Sequence, residues 1–199
     1  QPGERVALIG ANSPAWVQVW LAVLAVGGVV VPLKPELRAA DQAALITHAE
    51  AGFVFIDQSK GKIRALHELL PERQFVLLQS VDGISHLLVP GDEASAAPLL
   101  ASIGGELACI LYTSGTTGSP KGVMLSHDNL LQNALDVVDY LDLTDKDAAL
   151  ALLPFYYSFG NSILLTHLLA GARLVFGASM MYPEKVLALV AEHGVTGLY

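Results

Sequence analysis

The sequence predicts an α/β fold, a mostly parallel sheet or pair of sheets covered by helices. Short apolar runs alternate with amphipathic, helix-like stretches along the whole chain. Several of those runs are apolar at every position instead of every second one. The composition is that of a well-buried interior, 53% hydrophobic and only 15% charged over 199 residues. Strand–helix alternation implies parallel strands joined by right-handed crossovers. Continuous apolar runs are what strands covered on both faces require. The length suffices for one sizeable core or two small ones, and so low a charge excludes disorder.

Taken in order, residues 5–10 read as a short strand. Ser13 and Pro14 then supply an N-cap and a first-turn proline for a helix to about Val26, which Gly27 stops. Trp16 and Trp20 lie on one face of that helix, as a packing pair. Residues 29–33 are β-branched and apolar, a covered strand. A helix is expected at 40–49, a strand at 53–56, a helix at 63–70 and a strand at 75–78. Residues 80–105 carry several glycines and prolines and read as a loop-like connection, the expected seam between two lobes.

The second half repeats the alternation, with strands at 108–112 and 121–125. Ser126 is expected to cap a helix presenting Leu130, Leu131, Ala134, Leu135, Val138 and Leu141 along one face. A strand follows at 149–153, a helix at 161–169, a strand at 173–176 and a helix at 183–193. The start of another strand falls at 195–199. The chain is expected to be truncated, because it stops inside an element.

The composition also narrows the partners. Eleven Lys and Arg against 19 Asp and Glu give a net charge of −8, with no basic cluster. That excludes a nucleic-acid partner, whose phosphate backbone needs a basic face. Residues 19–33 are nearly all apolar but fall short of the ~20 residues a spanning helix needs, and Gly27, Gly28 and Pro32 interrupt them. Neither a membrane span nor a signal peptide is expected. The single cysteine, Cys109, sits inside the run Leu107–Leu111 and reads as a small buried residue, not a nucleophile. A reducing, cytoplasmic setting fits one unpaired cysteine. The histidines at 48, 67, 86, 167 and 193 match no metal-ligand spacing, so no metal site is expected. His127 and Asp128 are adjacent on a helix start, do not face each other and suit the first turn. His167 is expected to be a satisfied packing histidine.

The most informative stretch is Tyr112-Thr113-Ser114-Gly115-Thr116-Thr117-Gly118-Ser119-Pro120-Lys121-Gly122. Gly115 and Gly118 permit positive φ and close backbone approach, so successive N–H groups can converge on one anion. The hydroxyls of Thr113, Ser114, Thr116 and Thr117 are further donors, and Lys121 adds a compact positive charge. The spacing is not that of a Walker A loop, which needs four residues between its glycines and then Gly-Lys-Ser/Thr. The flanking strands make this a loop between two strands, a pattern that composition alone does not separate from an ordinary turn.

The string YTSGTTGSPKGV resembles the signature phosphate loop of the adenylate-forming superfamily: acyl-CoA synthetases, luciferases and the adenylation domains of peptide synthetases. GERVALIGANSPAWVQVWLAVLAVGGVVVPLKP is similar to that family's N-terminal region, and LPFYYSFGNSILLTHLLAGARLVF to its next block, in which a proline, aromatics and a glycine line the acyl pocket. The resemblance thus covers nearly the whole chain. It implies the front part of the large N-terminal domain, residues 1–199 being a partial domain without its C-terminal part or the small C-terminal domain.

The same resemblance implies that Thr113, Ser114, Gly115, Thr116, Thr117, Gly118 and Lys121 grip the β- and γ-phosphates of ATP, with Lys121 and Thr117 the catalytic candidates. Tyr157, where many members have histidine, would lie at the acid-binding pocket beside Phe159 and Gly160. The implied reaction is activation of a carboxylic acid by ATP, carrying Mg2+, to an acyl-AMP with release of pyrophosphate. Transfer follows to coenzyme A or to the phosphopantetheine of a carrier protein. Thr116-Thr117 favours acyl-CoA and acyl-AMP ligases over amino-acid adenylation domains, which remain the alternative beside a non-catalytic nucleotide-binding or carrier-docking module. The fragment alone is expected to be inactive, since the later family motifs are not among its residues.

Overall fold

The computed structural model describes residues 1–78, 106–113, 120–177 and 179–199. The seam expected at 80–105 lies outside the described residues. The chain forms two compact units, Gln1–His127 and Asp128–Tyr199.

The first unit is built on a six-stranded sheet: β1 (Arg5–Ile9), β2 (Val29–Leu33), β3 (Phe53–Ile56), β4 (Gln74–Leu77), β5 (Leu107–Thr113) and β6 (Lys121–Ser126). Their spatial order is β4-β3-β1-β2-β5-β6. All neighbours are parallel except the last pair, β5 and β6, which is antiparallel. Helices α1 (Pro14–Ala25), α2 (Ala39–His48) and α3 (Lys60–Leu69) make the crossovers.

Local sequence explains the boundaries. The Ser13 side chain accepts a hydrogen bond from the Trp16 amide at 3.2 Å, so it caps α1 as its residue type predicts. The chain leaves that helix through Gly27 at φ +74°, a conformation glycine adopts without steric cost. Helix α3 begins three residues earlier than the apolar periodicity predicts, because the Lys62 and Ile63 amides already bond to the Ser59 carbonyl. β2 is buried along its whole length, as a central strand covered on both faces must be.

The core on one side of this sheet joins Ala7, Ile9, Val31, Leu33, Val54 and Ile56 to Leu45 and Ile46 of α2 and Leu66 of α3. Trp16 and Trp20 of α1 are both buried and stack with ring centroids 5.3 Å apart. Cys109 is fully buried in β5. Burial pushes its thiol pKa well above the usual range, because the thiolate would have no solvent. It is a core residue, as expected.

In the second unit, β7 (Ala148–Leu150) pairs in parallel with β8 (Arg173–Val175). Helix α4 (His127–Tyr140) enters the unit directly from β6, α5 (Ser158–Leu169) packs on the small sheet, and α6 (Pro183–His193) follows β8. One expectation needs correction here. The strand expected at 195–199 is a single parallel bridge, Ala149↔Gly197. The Thr196 hydroxyl accepts the Ala148 amide at 3.0 Å, so a side chain takes a ladder position that backbone would otherwise fill. The helix expected after Ser126 is α4, and its apolar stripe is mostly uncovered by the described residues. Ala134 is buried, but Leu131, Leu135 and Leu141 are exposed. A polar contact, Ser162 Oγ donating to Asn133 Oδ1 at 3.1 Å, links α4 to α5.

Candidate functional site

The glycine- and hydroxyl-rich stretch is closed by the β5–β6 hairpin. Thr113 pairs with Lys121 and Tyr112 with Gly122, followed inward by Leu111 with Val123 and Ile110 with Met124. Directly opposed residues of an antiparallel pair share a face, and successive residues alternate. Thr113 and Lys121 therefore lie on one face at the mouth of the hairpin, while Tyr112 and Gly122 lie on the other. Ser114, Gly115, Thr116, Thr117 and Gly118 fall outside the described residues. Lys121 is exposed at the first position of β6.

Tyr112 fixes the opposite face. A Cβ at Gly122 would stand 2.8 Å from Ile110 Cγ2 and 3.5 Å from the Tyr112 ring, so the glycine is the space in which that ring lies. The ring's hydroxyl reaches α2, at 2.6 Å from His48 Nδ1 and 3.5 Å from the Leu45 carbonyl. Burial raises the Tyr112 pKa, with the Arg5 charge acting in the other direction. The hydroxyl can donate to the Leu45 carbonyl, and its role toward His48 follows from the imidazole tautomer. Sequence reasoning had no role for Tyr112 or His48. The available signal was the alternation of Tyr112 with Ile110, which turns the tyrosine toward the helical layer, where a partly buried hydroxyl needs a partner.

The aromatic block divides as a helix entry. Phe155 and Tyr156 are buried, so part of the block is core, as expected. Tyr157 is the N-cap residue of α5 and is 47% exposed, and Phe159, in the first turn, is 58% exposed. Gly160 is buried, and a Cβ there would stand 2.2 Å from the Pro154 carbonyl oxygen and 2.9 Å from that of Leu153. Only glycine lets the first turn of α5 sit against this backbone. The Tyr157 amide donates to the same Pro154 carbonyl at 3.1 Å. Tyr157 and Phe159 are thereby presented at the helix start by the close approach that Gly160 permits.

His167 is buried, with Nδ1 at 2.8 Å from the Ile163 carbonyl and 3.2 Å from Thr166 Oγ1, while its Nε2 has no hydrogen-bond partner among the described residues, so the expected satisfied packing histidine is satisfied at one ring nitrogen. Among the described residues, no group of three His, Cys, Asp or Glu side chains gathers as a metal site, and no helix is long and apolar enough to cross a membrane.

The model of the AMP-binding enzymes matches residues 1–199. The chain belongs to the AMP-binding enzyme family. Relatives of this chain include the medium-chain fatty-acid–CoA ligase of Escherichia coli K12, 30% identical over 98% of the chain. A feruloyl-CoA synthase of an Amycolatopsis species is 33% identical over 98% of the chain. The chain spans only 37% and 38% of those two proteins. Among solved structures, ATP-bound MatB from Rhodopseudomonas palustris superposes over the whole chain with a TM-score of 0.78 at 30% identity, and the chain covers 39% of it. The fold is that of the front of the large N-terminal domain of adenylate-forming enzymes.

Proposed function

We propose that the native-length protein activates a carboxylic acid with ATP to an acyl-AMP and then passes the acyl group to a thiol. The observation that carries this reading is the hairpin mouth, where Thr113 and Lys121 stand opposite one another at the two roots of the glycine- and hydroxyl-rich loop. Similarity to CoA ligases and to an ATP-bound structure supports ATP as the adenylyl donor.

In this reading a carboxylate oxygen attacks the α-phosphorus, a C–O–P anhydride forms, and pyrophosphate leaves with the electrons of the broken P–O bond. A thiol then adds to the acyl carbon and AMP departs. Mg2+, carried by ATP, would neutralise phosphate charge. This chain's residues position and neutralise instead of reacting covalently. The Lys121 ammonium and the hydroxyls of Thr113, Ser114, Thr116 and Thr117 hold the β- and γ-phosphates, and the backbone at Gly115 and Gly118 approaches them closely. Lys121 and Thr117 are assigned the catalytic contacts. Tyr157, Phe159 and Gly160 are assigned to the acid pocket, Gly160 as the spacer that lets the two aromatics present themselves.

The acceptor is coenzyme A or a carrier-protein pantetheine, the first favoured by the CoA ligases and synthetases among the relatives. Incubating the native-length protein with ATP and a panel of fatty, aryl and amino acids tests the reading. Acyl-AMP formed with one acid class, and acyl-CoA once coenzyme A is added, is the expected result. ATP binding without either product would reject it.

A further inference from the structure

We propose that His48 is a positioning residue for ATP, acting through Tyr112 on the roots of the phosphate loop. The inference rests on the adenylation reading above. The Tyr112 side chain ties three elements together. Its ring fills the space left by Gly122 on β6, its backbone belongs to β5, and its hydroxyl meets His48 in the last turn of α2.

The His48 contact is the stronger of the hydroxyl's two bonds. The Leu45 carbonyl already accepts the Ala49 amide at 2.9 Å and lies 3.5 Å from the hydroxyl, against 2.6 Å for His48 Nδ1. The two rings also meet edge to face, with centroids 5.7 Å apart. Arg5, next to this corner, is engaged elsewhere, donating to the Ala49 carbonyl and to the Glu50 carboxylate.

Among the described residues, the mouth of the hairpin is held to the helical layer through this side chain. The parallel pairing of β5 with β2 is registered at Val30↔Cys109, short of Tyr112. β6 is the last strand of the sheet among the described residues. Thr113 follows Tyr112 directly and Lys121 directly precedes Gly122, so tilting of the hairpin end would move both phosphate-gripping candidates together. Displacing both roots weakens the hold of their side chains on the phosphates.

The test uses the native-length protein and reads pyrophosphate–ATP exchange together with ATP binding by calorimetry. Tyr112→Phe keeps the ring over Gly122, so it removes the bond and leaves the fold. Tyr112→Phe and His48→Ala should each raise KM and Kd for ATP about twofold to tenfold, as removal of one hydrogen bond allows, with kcat little changed. The double variant should be no worse than either single one, because both remove the same interaction. His48→Gln, whose side-chain amide can pair with the hydroxyl as donor or acceptor, should recover most of the affinity.

ATP affinity unchanged in folded Tyr112→Phe and His48→Ala, or a loss that simply adds in the double variant, would overturn the proposal. A loss of thermal stability without a change in ATP affinity would also overturn it, as the mark of a structural role alone. Should the parent bind ATP but show no exchange, the adenylation reading fails while the Kd comparison still decides the role of His48. A parent that does not bind ATP overturns both.

Discussion

Thr113 and Lys121 are direct partners across an antiparallel ladder, and the next pair inward, Tyr112 and Gly122, points to the opposite face. One face of the hairpin mouth therefore carries a hydroxyl and an ammonium, and the other carries an anchor into α2. The chemistry assigned to the loop and the packing that holds its roots are separated by the pleat of two strands.

Gly122 makes the anchor possible, and its replacement should show this. In Gly122→Ala the new methyl meets Ile110 and crowds the Tyr112 ring. A loss of about 1–3 kcal/mol in denaturant unfolding is expected, the usual cost of overpacking. Unchanged stability would mean that the ring is free to leave.

Gly160 is a stricter case, because what a side chain would strike is backbone. Gly160→Ala should cost about 3 kcal/mol or more, since the carbonyls of Leu153 and Pro154 cannot rotate away as a side chain can. Phe159→Ala, one residue earlier and exposed, should change stability by no more than about 0.5 kcal/mol while shifting the preference among acids. Equal stability losses for the two variants in thermal unfolding would contradict this division of roles.

Cys109 gives a pH dependence of definite sign. Its folded pKa is raised by burial, so the protein keeps the thiol protonated where the unfolded chain ionises, above about pH 8.5. The contribution is fully present below that pH and falls as pH rises, by up to about 1.4 kcal/mol per unit. Stability measured from pH 7 to 10 should therefore decline more steeply for the parent than for Cys109→Ala. Parallel curves would show that the thiol titrates alike in both states.

Asp147 has the opposite sign. The Thr144 amide, at 2.8 Å, together with the Thr196 and Thr144 hydroxyls, holds its carboxyl below the usual carboxylate range. Its contribution is present above about pH 3.9, the unfolded value, and is lost as pH falls. The melting temperature of Asp147→Asn should lie below the parent's at pH 6, and the two should converge in acid. A gap that persists in acid would place the contribution in the side chain's shape instead of its charge.

Much of the fold was legible because single residues announce boundaries. Ser13 with Pro14 opens α1, Gly27 ends it, and the apolar run Val29–Leu33 reads as the covered strand it is. The roots of the loop were legible to within a residue, since β6 begins at Lys121 as expected while β5 runs one residue past Tyr112, to Thr113. What was hidden depends on pairings across sequence distance. No local pattern joins His48 to Tyr112, and nothing in the aromatic block says that Gly160 is a spacer against Pro154. The stripe on α4 located a helix but not its covering. Periodicity marks an apolar face but not what covers it.

Pyrophosphate–ATP exchange by the native-length protein, with Lys121→Ala beside it, tests the central claim most directly. Acid-dependent exchange in the parent and a loss of at least about tenfold in kcat/KM for ATP in the variant are predicted, as removal of a charged phosphate contact requires. Exchange that continues undiminished in a folded Lys121→Ala protein would contradict the assignment of this loop as the ATP grip.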